Sequence, residues 1–420
     1  MSDHGALTGL SDDDHSQYVL ADGSRDITGN QTVNGVVTAE DFVDDADNTA
    51  IKLLDANKTF YVRTTGSDSN NGLSAQYAFL TFERAIEETQ KWRTGDKSIT
   101  INVGSGNYTK TSHIDPAHSD GHRITWTGDA DEYTSRTINN IDASTTPYVT
   151  GIDTFDFDVS LPAGSGAAAG QFIIVKEASG GTNPNLVKGC HLITWWDYNN
   201  NIATVTVARN SNSSKLPSGT ITANVTLVRT VSVTSTAQGI YSTSGKHCGN
   251  WNNMVFRGCA DYVGVWLLNQ SKIVLQDNFA TAMWEENLKC MNSTIEAKGS
   301  VHSFAFNYIV SASDGGFVTL RAGSILSGAA GLAARAYNNG MLDLLASEVC
   351  YGGYVYNVQA LQGGFVSAQN VNVEGCATTG SNAFYVTSGG GIDSSGATND
   401  AATARGQESA PGGNGSYHVY

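Results

Sequence analysis

Three carboxylates, Glu296, Asp343 and Asp393, occupy equivalent places in a pattern that repeats along the C-terminal half of this 420-residue chain. Paired acids are the groups with which glycoside hydrolysis and polyuronide elimination hold a proton donor and a proton acceptor across a sugar. Close by in sequence, Trp284 stands beside Glu285 and Glu286, with Trp251 and Trp266 upstream. An aromatic face next to carboxylates can stack on the apolar C–H face of a sugar ring. The same tryptophans could instead fill corners of a coil or a subunit interface. Because 40 acids are spread over the chain, an Asp or Glu falls at many outward positions by chance. The balance therefore favours binding by Trp266, Trp284, Glu285 and Glu286 over catalysis by Glu296, Asp343 and Asp393. Any catalysis would be that of a glycoside hydrolase or a polysaccharide lyase.

The element that would position these groups is a repeated strand. Apolar residues two places apart recur as Ile273/Leu275, Ile295/Ala297, Val318/Leu320, Leu342/Leu344, Val366/Ala368 and Ile392/Ser394, at intervals of 22, 23, 24, 24 and 26 residues. A unit of that length cannot bury its own apolar face and must stack on its neighbours, which is the signature of a solenoid. Gly and Ser residues recur just ahead of the strands (Ser271, Ser293, Gly315-Gly316, Gly340, Gly363-Gly364, Gly389-Gly390-Gly391), as coils turning at one corner require. An antiparallel sandwich also has regular turns, but its spacing of about 8–12 residues gives no reason for similarity at twice that distance. The expected fold is all-β, a right-handed parallel β-helix. Positions between the paired apolar residues then point outward and read Val274, Glu296, Thr319, Asp343, Ser367 and Asp393. At about 4.8 Å per rung, acids on alternate rungs lie ~9.6 Å apart along the backbone.

Composition agrees with a turn-rich β protein: 46 glycines, 6 prolines and only 15% charged residues. No apolar run approaches the ~20 residues of a membrane span, and the opening Met1-Ser2-Asp3-His4 has no basic n-region. The expectation is a soluble chain without an export signal and without membrane insertion. Net charge is −16, and residues 1–50 carry eleven acids against the single base Arg25. Such a field repels nucleic acid and suits an acidic docking segment or a solvated leader. Six cysteines without CxxC pairs indicate neither a zinc site nor a disulfide framework. The loop Asp68-Ser69-Asn70-Asn71-Gly72 and the group Asp115, His118, Asp120 and His122 lack a full ligand set, so they read as turns. No metal or cofactor is expected.

Three segments carry a resemblance. His4-Gly5-Ala6-Leu7-Thr8-Gly9-Leu10-Ser11-Asp12-Asp13-Asp14-His15-Ser16-Gln17-Tyr18, followed by Gly23-Ser24-Arg25, resembles a sequence near the N-termini of bacteriophage tail fibres and spikes. Thr59-Phe60-Tyr61-Val62 running into a Gly/Asp/Asn loop and then a helix is similar to the start of pectate-lyase-like β-helix proteins, many phage tail proteins among them. In that helix Phe82, Ala85, Ile86 and Thr89 share a face, with Thr81 as N-cap and Glu83 in the first turn. It would cover the open end of the solenoid. The strands Phe172–Val175, His191–Trp195, Ile202–Val207 and Val225–Val228, with Gly189-Cys190-His191 among them, resemble the small all-β insertion found in such proteins.

The resulting organisation is a virion-attachment segment (1–55, with His4, Asp12, Asp13, Asp14 and His15), opening coils with the capping helix (56–149), a small β-barrel-like insertion (150–230), the β-helix (231–396) and a tail (397–420). The resemblance implies a virion protein made in the host cytoplasm: a homotrimeric tail spike or fibre, docked to another virion protein through its N-terminus and recognising a bacterial surface glycan. A polysaccharide depolymerase on the same scaffold, and a non-enzymatic head-fibre, collar or decoration protein, are the alternatives.

Overall fold

The computed structural model describes residues 52–142, 152–210, 215–321, 323–350, 356–374, 382–395, 397–399, 407–408 and 416–418; the attachment residues His4 to His15 lie outside them. Within this range the chain is a parallel β-helix of about eleven turns. One face is a sheet of eleven parallel strands, from Lys58–Val62, Ile99–Val103 and Ile124–Thr127, through His247–Asn252 and Lys272–Leu275, to Gly391–Asp393 and Ser416–His418. Ile273, Ile295, Val318, Leu342, Val366 and Ile392 are direct partners on successive rungs. All six are buried. Alternation along each strand thus builds a continuous core that no single coil could close.

A second face runs from Gly106–Lys110 through Thr230–Thr234 and Val255–Arg257 to Asn372–Glu374 and Thr398–Asn399. A third runs from Ile240–Ser242 and Val263–Leu267 through Leu332–Ala336 and Tyr356–Leu361 to Asn382–Thr387. Two long strands, Ala280–Met291 and Val301–Ser313, pass from the second face to the third. They bend at Met283 and Phe304, whose φ angles are 65° and 55°, and the next rung has Gly328 at the same place with φ 68°. Left-handed backbone at a bulky residue is strained, so packing must hold this corner.

The capping helix, α1 (Phe82–Gln90), forms where expected. Thr81 accepts from the Arg84 amide, and Phe82, Ala85 and Thr89 are buried. The Phe82 ring lies 5.7 Å from that of Trp126 and 5.4 Å from that of Tyr108, which seats the helix on the core of the first coils. The Asp68 carboxylate accepts from the amides of Leu80 and Thr81 and from the Thr81 hydroxyl, so that loop is tied to the helix start. No helix among the described residues is long and apolar enough to cross a membrane.

Between two adjacent coils the chain leaves to build a separate module. Six strands, Ala130–Asp142, Ile152–Ser160, Phe172–Ser179, Gly189–Asp197, Ile202–Asn210 and Ile221–Val228, pair antiparallel in a ring. The first, Ala130–Asp142, lies ahead of the 150–230 stretch expected for the insertion. The module has its own core around Phe155, Phe157, Ile173, Val205 and Leu227. It rests on the second face through Phe172, Ile174 and Cys190 against Val255, Ala282, Val301 and Ile325. Polar contacts fix the seat: the Cys190 amide donates to Ser303 Oγ at 2.8 Å, and Lys188 meets Glu348 at 2.6 Å. The outward side of the second face is therefore covered at these rungs, which leaves the first and third faces to meet solvent.

Candidate functional site

On the first face, Val274, Glu296, Thr319, Asp343, Ser367 and Asp393 form one outward column in the expected register. Each acid already has partners. Glu296 accepts from Lys272 Nζ at 2.7 Å, and Asp343 lies 3.4 Å from Arg321 and accepts from the Leu345 amide. Asp393 accepts from Gln369 Nε2 at 2.6 Å and from the Ser395 amide. Two of the three acids thus close the turn at the end of their own strand, a role that Asp side chains fill through their reach back to the backbone. Thr319 stands between Glu296 and Asp343 and is itself buried. The column holds the ladder together, with a groove of about 560 Å³ above Val274, Glu296, Phe317, Thr319 and Arg321.

The tryptophans divide, and two of them correct the expectation of a sugar-stacking surface. Trp284 is fully buried, and its indole N–H donates to the Phe256 carbonyl at 2.9 Å. Strand alternation would put it on the side of Ala280 and Ala282, which face the barrel; the left-handed Met283 turns it into the coil instead. Trp251 is also fully buried, donating to the Cys248 carbonyl. Neither offers a ring to a sugar. Trp266 is different: it is half-buried on the third face, its ring 5.3 Å from that of Tyr241.

Around Trp266 the third face assembles a continuous outward column. Tyr241, Trp266, Lys289, Ser311, Arg335, Gln359 and Tyr385 are register partners on seven successive rungs. Lys289 Nζ lies 5.1 Å from the Trp266 ring centroid and 2.9 Å from Glu286 Oε1. Glu286 is buried and also accepts from the Ser311 hydroxyl at 2.5 Å, so it is a satisfied carboxylate. Burial disfavours the Lys289 ammonium, but the charge of Glu286 and its hydrogen bond, followed by Tyr337 and Glu285, outweigh it and hold its pKa above the ordinary value. Further along, Arg335 donates to the Tyr308 hydroxyl at 2.8 Å, its guanidinium carbon 4.5 Å from the Tyr337 ring centroid. Of the four residues expected to bind glycan, the structure keeps Trp266 half-buried on this face and leaves Glu285 partly exposed nearby in the chain, but it buries Trp284 in the coil and Glu286 beneath the column, where Lys289 and Ser311 occupy its carboxylate.

Lys289, Ser311, Tyr308, Arg335, Tyr337 and Gln359 were not singled out from sequence. The signal was present, since positions 266, 289, 311, 335, 359 and 385 repeat at 23, 22, 24, 24 and 26 residues, close to the spacing of the apolar column. Polar and aromatic residues of mixed type hide that period, because no single residue class recurs.

The barrel contributes a second aromatic surface. Its hairpin between Gly189–Asp197 and Ile202–Asn210 exposes Trp195 at 65% and Tyr198 at 77%. A register shift between Ile193 and Trp195 swings Trp195 outward, while Asp197 ties the turn by accepting from the amides of Asn199 and Asn200.

No protein-family description matches the sequence, and no curated protein matches it. Among solved structures, one described as "The complex structure of XylC with xylose" aligns with a TM-score of 0.25 at 10% identity, over 81% of this chain and 69% of its own. A second, described as "Glycoside hydrolase", aligns with a TM-score of 0.23 at 9% identity, over 84% of this chain and 96% of its own. Neither bears on the chemistry of this chain, and the parallel β-solenoid stands on its own strand register.

Proposed function

We propose that the protein is a bacteriophage virion adhesin, a homotrimeric tail spike or fibre that recognises a bacterial surface polysaccharide through the third face of its β-helix. One observation carries this reading. Tyr241, Trp266, Lys289, Ser311, Arg335, Gln359 and Tyr385 stand in line on successive rungs and combine aromatic rings with hydrogen-bonding groups. At about 4.8 Å per rung the column spans ~29 Å, room for several consecutive sugars of an extended chain. Rings offer stacking for C–H faces and the polar ends offer hydroxyl partners, the division of labour that glycan binding needs. The phage assignment and the docking role of residues 1–55 rest on the N-terminal sequence resemblance.

Binding is favoured over turnover because Glu296, Asp343 and Asp393 are each engaged by neighbouring side chains or turn amides. The test is adsorption of the purified protein to bacterial cells and to their isolated capsule and lipopolysaccharide. Trp266→Ala should lower adsorption about tenfold with an unchanged melting temperature, and deletion of residues 1–55 should detach the protein from particles while leaving adsorption intact. Equal adsorption by Trp266→Ala, or a monomeric mass with no threefold contacts on the particle, would count against the site and the assembly respectively.

A further inference from the structure

Resting on the adhesin reading, we propose that Arg335 binds a carboxylate of the glycan, so that the polysaccharide recognised is an acidic one built with uronic or other carboxylated sugars. Arg335 is held firmly without being neutralised. Its Nη1 donates to the Tyr308 hydroxyl at 2.8 Å, and its guanidinium lies 5.2 Å from the Tyr308 ring centroid and 4.5 Å from that of Tyr337. No carboxylate among the described residues pairs with it. Arg209, Arg229 and Arg321, by contrast, each lie against an aspartate.

A guanidinium anchored on a phenol hydroxyl, with a second aromatic ring centred 4.5 Å away, loses little by further ordering; its Nε is buried, so the donors left for a carboxylate are the N–H groups of Nη1 and Nη2, an end-on pair. Arg335 is only half-buried, so ligand can reach it. Its rung neighbours on either side, Ser311 and Gln359, are uncharged hydrogen-bonding residues and add no repulsion. The chain as a whole carries −16, which disfavours a polyanion at long range. Capture therefore depends on a fixed local cation, and Lys289 on the same column is already neutralised by Glu286.

The experiment is affinity electrophoresis of the full chain in native gels containing alginate, hyaluronan, polygalacturonate or neutral dextran, repeated with a carboxyl-reduced sample of whichever polymer retards it. At least one carboxylated polymer should retard the protein, and carboxyl reduction should abolish the retardation. Arg335→Gln should weaken it at least tenfold, Arg335→Lys less, and Tyr337→Ala partly. Retardation that survives carboxyl reduction, retardation by dextran alone, or an unchanged Arg335→Gln overturns the proposal. If Arg335→Gln does not fold, Tyr337→Ala and the reduced polymer still decide it. No retardation by any polymer from a protein that still adsorbs to cells refutes the acidic glycan and leaves the adhesin reading standing; loss of both refutes both.

Discussion

Trp126 and Trp251 stack face to face, ring centroids 4.7 Å apart and planes within 2° of parallel, although the entire barrel lies between them in the chain. Their strands, Ile124–Thr127 and His247–Asn252, are adjacent rungs. The stack continues outward from the helix through Phe82 and inward through Phe256 and Phe279, so the first coils share one aromatic core that is completed only after the barrel has been made. Trp251→Ala and Trp284→Ala should each lose about 3–5 kcal/mol of stability, as expected for emptying a large buried site. Trp266→Ala, on the surface, should lose less than about 1 kcal/mol. Denaturant unfolding of the three variants distinguishes core from surface; a small loss for Trp284→Ala would mean that its ring is not packed as described.

The rungs were legible because their signal is local and periodic. Ile273 and its partners recur at a near-constant interval, followed on every rung but the Val274 one by a polar outward residue, and the recurring glycines mark one corner. Two features were not legible. Ala130–Asp142 reads as a mostly exposed strand with hardly any apolar alternation, since its neighbours in the ring supply the core. Trp284 was misplaced because a single backbone angle at Met283 reverses which side of the strand faces inward, and a Met gives no hint of a left-handed conformation. The third-face site was hidden for a related reason: its column keeps the period but varies the residue type.

The glycine corner makes a sharp test of rung spacing. A Cβ on Gly340 would stand 2.2 Å from the Ala312 carbonyl oxygen, and one on Gly316 or Gly364 would meet the carbonyl of Cys290 or Ala336 at 2.3 or 2.4 Å. The obstacle is backbone of the preceding coil, which cannot swing aside as a side chain could. Gly340→Ala should therefore cost about 1–3 kcal/mol through overpacking. A variant with wild-type stability would show that the coils can separate locally.

Acid should loosen the fold well above the carboxylate range. His302 lies within the coil between the hydroxyls of Thr281 and Ser300, and burial pushes its imidazole down to about 3. Burial likewise pushes His191 in the barrel down to about 4, against the opposing pull of the Val187 carbonyl. Both titrate near 6.5 once unfolded, so below that pH the unfolded chain takes up protons that the native chain does not. The stability they contribute is complete above about pH 6.5 and is lost as pH falls. Each should cost about 2 kcal/mol between pH 7 and pH 5, at 1.36 kcal/mol per unit. Urea midpoints at pH 7, 6 and 5 should fall steadily, and His302→Gln should flatten the slope; a flat wild-type profile would contradict the burial.

The first-face acids separate binding from turnover. Glu296 and Asp343 are partly exposed partners of Lys272 and Arg321, and pairs of that kind are worth about 0–1 kcal/mol. An inverting glycosidase needs two carboxyl groups about 6.5–9.5 Å apart with room for water between them. Here the buried Thr319 occupies the intervening rung and each carboxylate is turned toward a cation. The Glu296→Gln/Asp343→Asn double variant should then keep its fold and change glycan affinity only modestly. Incubation with host polysaccharide, followed by reducing-end and unsaturated-product assays, should give no turnover from wild type or variant. Depolymerisation by the wild type that the double substitution abolishes would instead make this column an active site, with the third face as its substrate-holding surface.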